Sequence, residues 1–364
     1  MTTASSITRF VFVGTYNQSL PPSEGMARGI AVYRIDPSSG ELSLSSTSPD
    51  VPDPSYLAVH PRQPWLYAVS ERTEGGVSAF AVDPQTGRLA ALNQQPSHGA
   101  SPAHISIDQS GRWVLTANYA TGQITVLPIQ DGGSLGPATT TVQHEGHSVH
   151  PQRQQGPHAH YITADPDNRF VHVADLGLDA IMSYRFDQEA GTLAPADQPS
   201  VAMQPGAGPR HIAFHPGGSF AYVINELDST IVACEYDATR GFLSPIQRES
   251  TLPPDFCGES TTAAIRISPS GQFVYGSNRG HDSLAIFAID PASGRLSSIG
   301  RASTQGQTPR DFNIDPIGTF LFAANQKSNT IVSFRIDQES GWPSPTGHVV
   351  EVMSPSCVTF GSWR

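Results

Sequence analysis

One short phrase, repeated seven times, constrains this chain more than anything else in it. A turn that begins at Asp and ends on Gly, usually followed by one residue and Leu, spans Asp36–Gly40, Asp83–Gly87, Asp131–Gly133 and Asp187–Gly191. It returns at Asp237–Gly241, Asp290–Gly294 and Asp337–Gly341. Each copy follows an alternating apolar run such as Ile30–Ile35 or Ile331–Ile336. Alternation of this kind is the mark of a strand with two unlike faces, and Gly is the residue that a hairpin turn takes at positive φ. A second ruler has the same spacing. Strand pairs surround turns at His60-Pro61, Asp108, Asp165-Pro166, His215-Pro216, Ser268-Pro269 and Asp315-Pro316. Two turn types alternating with a common period of about fifty residues predict four-stranded units stacked in a ring.

Six units are complete and the seventh is split. Phe10–Val13 and the two strands after it come from the N-terminal end, and Ser356–Phe360 from the C-terminal end supplies the missing innermost strand. Such a closure pairs the two ends of the chain in one sheet and removes the open edge. The expected fold is therefore all-β, a seven-bladed β-propeller with four antiparallel strands per blade and a shared closing blade. Residues 1–364 are read as a single domain. A sandwich would not explain seven evenly spaced copies.

Composition agrees and excludes several classes. Gly (33) and Pro (31) are plentiful, charged residues make up 15%, and no run carries a sustained helical period. The net charge is −11 and Lys and Arg do not cluster, so no nucleic-acid partner is expected. Screening over about 8 Å still lets a locally positive pocket persist in an acidic protein. Cys234, Cys257 and Cys357 have no paired spacing and read as reduced, mostly buried thiols. Met1–Arg9 lacks a charged start followed by an apolar run, and no stretch is long enough to span a bilayer. The reading is a cytoplasmic protein without a membrane partner, a monomer or weak homo-oligomer.

A repeat also permits comparison of the chain with itself. Ten residues after each inner turn stand Ser70, Asn118, Asp175, Asn225, Asn278 and Asn325, all small and polar. They are expected to satisfy loose backbone groups in the next turn. The following column, Glu71, Tyr119, Leu176, Glu226, Arg279 and Gln326, has no common chemistry and hence no common structural task. Five residues before each turn the column reads Ser55, Ala103, His160, Arg210, Ala263 and Arg310. Both columns lie at the edge where inner strands begin and second strands end. Arg210 and Glu226 share that edge in one hairpin although 16 residues apart in the chain. His160, Arg210, Glu226, Arg279 and Arg310, with Glu71 from the other side, are thus expected to converge on the mouth of the central channel. The plainer alternative is that Arg210 and Glu226 form only a structural ion pair. Three arginines against two acids favour an anionic ligand instead, since guanidinium suits carboxylate and phosphate alike.

One connection is stretched. Residues 139–160 join two units on the same face and hold His144, His147, His150, His158 and His160. A long loop over a channel mouth is more often functional than idle. The first three histidines have helical spacing, but Gly146 and Pro151 interrupt the segment and no cysteine lies nearby, so no metal is expected. No Gly-x-Gly-x-x-Gly follows a strand and opens a helix, and no Gly-x-Ser-x-Gly elbow is present. No cofactor is expected.

The chain resembles the bacterial lactonases of seven-bladed propeller fold over essentially its whole length. The resemblance rests on Gly14–Tyr16, Leu66–Glu71, Gly156–His160, Gly208–His211, Ile224–Leu227, Asn278-Arg279, Thr308–Arg310 and Gln326–Ser328, in that order. The fungal carboxymuconate cyclases are similar in fold and share the His, Arg and Glu positions. The resemblance implies lactone hydrolysis of a small anionic substrate, with 6-phospho-D-glucono-1,5-lactone, a sugar lactone of the pentose phosphate pathway, expected first. A cyclase acting on a dicarboxylate and a non-enzymatic binding platform are the alternatives. It implies catalytic residues at a histidine of the 158–160 motif (His160, with His158 as the competing base alongside Glu226), at Arg210, at Glu226 and at Arg279. Arg266 competes with Arg279 for the last position. Arg266 stands where other units have Ala58, Ser106, Thr163 and Ala213. His158, Glu71, Arg266, Arg310 and Lys327 are the expected substrate-binding residues.

Overall fold

The computed structural model describes residues 9–17, 29–48 and 51–363. Residues 1–8, on which the reading of the N-terminus largely rests, lie outside the described residues. Seven four-stranded antiparallel sheets follow one another around a ring. Six are continuous in the chain: blade 1 (57–96), blade 2 (102–143), blade 3 (159–202), blade 4 (209–250), blade 5 (261–303) and blade 6 (309–351). Blade 7 takes its innermost strand, Pro355–Ser362, from the C-terminal end and its other three, Arg9–Thr15, Ala31–Ile35 and Leu42–Thr47, from the N-terminal end. The closing register runs from Arg9 opposite Ser362 to Thr15 opposite Pro355. No helix occurs among the described residues.

The repeated glycines have a double reason. Gly40, Gly87, Gly133, Gly191, Gly241, Gly294 and Gly341 all have positive φ, between 64° and 89°. Each also lies flat against an aromatic ring of the preceding blade: Phe320, Phe10, Trp65, Trp113, Phe170, Phe220 and Phe273 respectively. A Cβ at any of the seven would collide with that ring. The turn needs Gly for its backbone, and the blade-to-blade contact needs Gly for its missing side chain. The apolar core accordingly lies between blades, in clusters such as Phe312, Phe334 and Tyr275 across blades 5 and 6.

The small polar column serves more than the next turn: several members bond the connection that enters the blade, and Asn225 Nδ2 donates to the Thr230 hydroxyl. Asn118 Nδ2 donates to the Ser97 and Gln123 carbonyls, Asn325 Nδ2 to that of Thr304, and Ser70 Oγ to that of Pro52. Asp175 differs by accepting instead, from the backbone N–H groups of His158 and Gly177.

One irregularity repeats where the site lies. The inner strand of blade 4 pairs Pro209 with Asn225 and then His211 with Ile224, so Arg210 is the extra residue of a β-bulge. The same shift leaves His160 extra in blade 3, Arg310 in blade 6 and Ala103 in blade 2. A bulge breaks strict alternation and re-aims the bulged side chain.

Candidate active site

In blades 2, 3, 4 and 6 the inner strand thus delivers its bulged residue at the channel mouth, and the end of the second strand delivers the residue beside it. Arg210, Glu226 and Arg279 meet there. Arg210 Nε donates to Glu226 Oε2 at 3.0 Å, and Arg279 Nη2 forms an ion pair with the same oxygen at 2.9 Å. Arg210 Nη1 is fixed further by the Ala263 carbonyl at 2.7 Å and by His211 Nε2 at 3.0 Å. Because His211 Nε2 accepts, its proton sits on Nδ1, which is buried without a partner among the described residues. Arg279 Nη2 also donates to the Thr262 carbonyl, at 2.8 Å.

A third guanidinium completes the set. Arg153, from the stretched connection between blades 2 and 3, donates to Glu226 Oε1 at 2.6 Å and to the Tyr119 hydroxyl at 3.1 Å. Glu226 therefore holds three arginines. On the far side of the mouth Arg310 donates to the Tyr16 hydroxyl at 2.6 Å, which donates to Glu71 at 2.6 Å. Ser55 Oγ also donates to Glu71. Four guanidinium groups (Arg153, Arg210, Arg279, Arg310) thus face two carboxylates (Glu71, Glu226), leaving two positive charges in a concave site of an otherwise acidic protein.

Electrostatics set the protonation states. Burial alone would push the Glu226 carboxyl up, but Arg279, Arg210 and the other cations around it hold it well below the usual carboxylate range. Burial, reinforced by Arg279, pushes Arg210 down to about 9, so it is still a cation at neutral pH. Burial and then the charge of Arg210 hold His160 well below its ordinary value, so its imidazole is neutral. Its Nδ1 is buried without a partner among the described residues. His160 meets the edge of Tyr119 and tilts against His211, with ring centres 5.5 Å apart in both cases. His158 stacks on the face of Tyr119 at 4.5 Å, and its Nδ1 donates to the Tyr119 carbonyl at 2.7 Å.

Two expected residues lie apart from this cluster. Arg266 sits three residues further along its inner strand, about 10 Å down the channel at strand rise. It pairs with Asp311 at 2.9 Å and donates to the Tyr56 hydroxyl at 3.3 Å and the Ile265 carbonyl at 2.9 Å. It lines a separate cavity of about 370 Å³ with Phe214, Ile265 and the turn prolines Pro166, Pro216 and Pro269. The backbone alternation that sets Arg266 deep rather than at the mouth is the unbulged part of the strand. Lys327 lines a side cavity of about 480 Å³ between blades 5 and 6, together with Arg279, Glu259 and Asp282.

The histidine-rich connection is held down as a strap. His144 is buried, and its Nδ1 bonds Asp175 Oδ2 at 2.6 Å while Tyr184 bonds its Nε2 at 2.9 Å. Ser148 Oγ donates to Asp179 at 2.6 Å, and Gln154 Nε2 to the Leu176 carbonyl at 2.8 Å. Among the described residues no three His, Cys, Asp or Glu side chains cluster as a metal would need.

Arg153, Tyr16, Tyr119 and His211 are the participants that sequence reasoning did not single out. A signal existed for each. Arg153 is the only Lys or Arg in residues 139–158, Tyr119 stands in the column without common chemistry, and Tyr16 and His211 lie in segments that carry the resemblance. Which bond each makes depends on strands that are distant in the chain.

Comparison with known proteins agrees with this architecture. A family model described as lactonase, 7-bladed beta-propeller, matches residues 10–360. A 6-phosphogluconolactonase of Bacillus subtilis is 39% identical over 308 residues, covering 84% of this chain and 85% of that one. One from Formosa agariphila is 34% identical over 313 residues, covering 83% and 85%. The solved structure of a periplasmic gluconolactonase from Pseudomonas aeruginosa superposes with a TM-score of 0.90 at 35% identity, covering 97% of this chain and 99% of that one. With the match spanning all seven blades, the chain belongs to the seven-bladed β-propeller lactonase family.

Proposed function

We propose that the channel mouth hydrolyses a sugar lactone bearing an anionic group, with 6-phospho-D-glucono-1,5-lactone the first candidate. The observation that carries this reading is Glu226 ringed by Arg153, Arg210 and Arg279 beside the neutral, buried His160. The names of the Bacillus and Formosa relatives support the phosphorylated substrate. The Pseudomonas relative is named for an unphosphorylated lactone and for the periplasm. All site residues come from one chain, so a monomer suffices, and a phosphorylated sugar substrate favours the cytoplasm.

Opening a lactone requires water to add to the carbonyl carbon and the ring C–O bond to break. His160 is assigned as general base: its neutral imidazole takes a proton from water as the oxygen attacks. Such assistance is worth about 10²–10⁴-fold. Glu226 is held as a carboxylate by the arginines around it, and its charge favours the imidazolium that forms. Arg210 and Arg279, fixed before substrate arrives, stabilise the oxyanion. Collapse of the tetrahedral intermediate expels the ring oxygen, which takes the proton back from the imidazolium. The products are a hydroxyl and a carboxylic acid, which ionises in water. The pairing of Glu226 with guanidinium groups keeps those donors oriented at no cost at the moment of reaction.

The test is hydrolysis of freshly made 6-phosphogluconolactone and of gluconolactone, with chelator present and the spontaneous rate subtracted. Saturable, chelator-resistant acceleration that favours the phosphorylated lactone is expected. No acceleration of either overturns the reading and turns attention to carboxylated, muconate-type lactones.

A further inference from the structure

Of the three guanidiniums on Glu226, two are enclosed and one is not. The Arg210 and Arg279 side chains are 3% and 15% exposed, whereas that of Arg153 is 37% exposed. Arg153 also differs in origin. Arg210 and Arg279 belong to repeated strand positions, while Arg153 stands on the strap that only the connection between blades 2 and 3 supplies. The strap is not loose. It is clamped by His144 to Asp175 and Tyr184, by Ser148 to Asp179, and by Gln154 to the Leu176 carbonyl. Gln154 further fixes the turn before Arg153 by accepting from the His150 N–H at 2.9 Å.

The guanidinium is only partly used. Its Nη2 serves both Glu226 and Tyr119, and its remaining N–H groups have no partner among the described residues. Arg310, the other cation at the mouth, also keeps N–H groups without a partner among the described residues, but it belongs to the Tyr16–Glu71 link rather than to Glu226, with its guanidinium 5.0 Å over the Tyr16 ring. Lys327 stands in the side cavity with two acids, Glu259 and Asp282. Arg153 is therefore a preoriented, partly exposed cation with donors to spare, attached to the same carboxylate that anchors the oxyanion donors. A guanidinium so placed matches phosphate or carboxylate oxygens with two parallel bonds.

We propose that Arg153 reads the anionic substituent of the lactone and so determines selectivity for charged over uncharged substrates. This rests on the lactonase reading above. The carbonyl end of the ring goes to the enclosed Arg210 and Arg279, and the charged tail stays at the rim on Arg153. No covalent step is involved. The shared chemistry is an oxyanion on the substituent, and phosphate and carboxylate are its two possible sources.

The experiment compares wild type with Arg153→Met and Arg153→Lys on 6-phosphogluconolactone, gluconolactone and a carboxylated muconolactone. In Arg153→Met the ratio of kcat/KM for the anionic over the neutral lactone is expected to fall at least tenfold, mostly through KM. Arg153→Lys should recover part of it, because charge survives and the fork does not. The arm, phosphorylated or carboxylated, in which the ratio falls identifies the substituent. Equal losses on charged and neutral lactones overturn the proposal and make Arg153 a structural brace of Glu226. To separate this from failure of the lactonase reading, calorimetry measures binding of 6-phosphogluconate and of gluconate to the same variants. Weaker 6-phosphogluconate binding in Arg153→Met with gluconate little affected supports an anion reader even without turnover. Unchanged 6-phosphogluconate binding, together with an unchanged anionic-to-neutral ratio in the carboxylated arm, overturns it.

Discussion

Two buried carboxylates in one channel make opposite use of arginine. Asp311, deep in the channel, has one guanidinium, that of Arg266, and its other oxygen accepts from the Val358 N–H at 2.8 Å. Glu226, at the mouth, has three. The deep pair is balanced in charge, while the mouth is oversupplied by two charges once Glu71 and Arg310 are included. A buried pair of equal charges is neutral to its surroundings. An unequal set keeps its potential for whatever enters. The difference teaches that burial of an arginine does not by itself mark a site; the count of partners does.

The strongest way to break this contrast is to remove each carboxylate. Glu226→Gln leaves three guanidiniums without a counter-charge, and Asp311→Asn leaves one. Loss of a partner from a buried pair costs about 3–5 kcal/mol. Both variants should therefore unfold at markedly lower denaturant concentration, Glu226→Gln at the lowest. Only Glu226→Gln should also lose turnover, by on the order of 10²-fold, since it alone releases the proposed oxyanion donors. Equal turnover in the two folded variants would abolish the distinction between site and scaffold.

Removing the arginines should separate the regions more cleanly. Arg266→Met strands Asp311 and is expected to cost about 3–5 kcal/mol in chemical denaturation. Turnover per folded molecule should change little if Arg266 only balances Asp311, and a tenfold loss would place Arg266 in the substrate site. Arg210→Met should do the reverse, since Glu226 keeps two cations. Turnover falls on the order of 10²–10³-fold, with a smaller change in stability than Arg266→Met. A variant that is both fully active and unstable would contradict the assignment of Arg210.

Acid should weaken both regions through histidine. Burial holds His104, His160 and His211 well below the ordinary value of 6.5 and His172 at about 3. The unfolded chain then binds protons that the folded chain refuses, so stability is full above pH 6.5 and is lost as pH falls below it. Each such histidine contributes roughly 1.4 kcal/mol per pH unit in that range. Denaturation midpoints measured from pH 7 down to 5 should fall steeply. His172→Gln, remote from the mouth, should make the fall shallower while leaving the pH profile of turnover in place. A flat midpoint over that range would mean that these imidazoles are not held neutral.

The smallest effect is expected at Tyr16. Its hydroxyl links Arg310 to Glu71 across blades 6, 7 and 1. Tyr16→Phe removes that link but keeps the ring beneath Arg310, and losing such charged hydrogen bonds costs about 1.5–3 kcal/mol at most. A several-fold rise in KM with nearly constant kcat is the expected kinetic result. Loss of kcat instead would place Arg310 in the chemistry.

Much of this was legible without coordinates. Seven glycine turns at a common spacing specified seven blades, and the split seventh unit specified how the ring closes, because strand periodicity and turn chemistry are local properties of the chain. The column comparison also brought His160, Arg210, Glu226, Arg279 and Arg310 to one face. Other features were decided only in three dimensions. Whether a residue in a strand faces the mouth or the depth of the channel depends on a bulge, and although the repeat puts Arg210 and Arg266 in different columns, neither column announces the bulge. That Arg153 reaches Glu226, 73 residues away, depends on a strap clamped to blade 3. The glycines follow the same division: their positive φ belongs to the turn and could be read from it, while the aromatic ring that forbids a Cβ arrives from the neighbouring blade. Sequence by itself determined the repeating unit, since each unit is built from contacts between near neighbours. Tertiary structure alone decided the site, since a carboxylate's partners are counted only after the ring has closed around it.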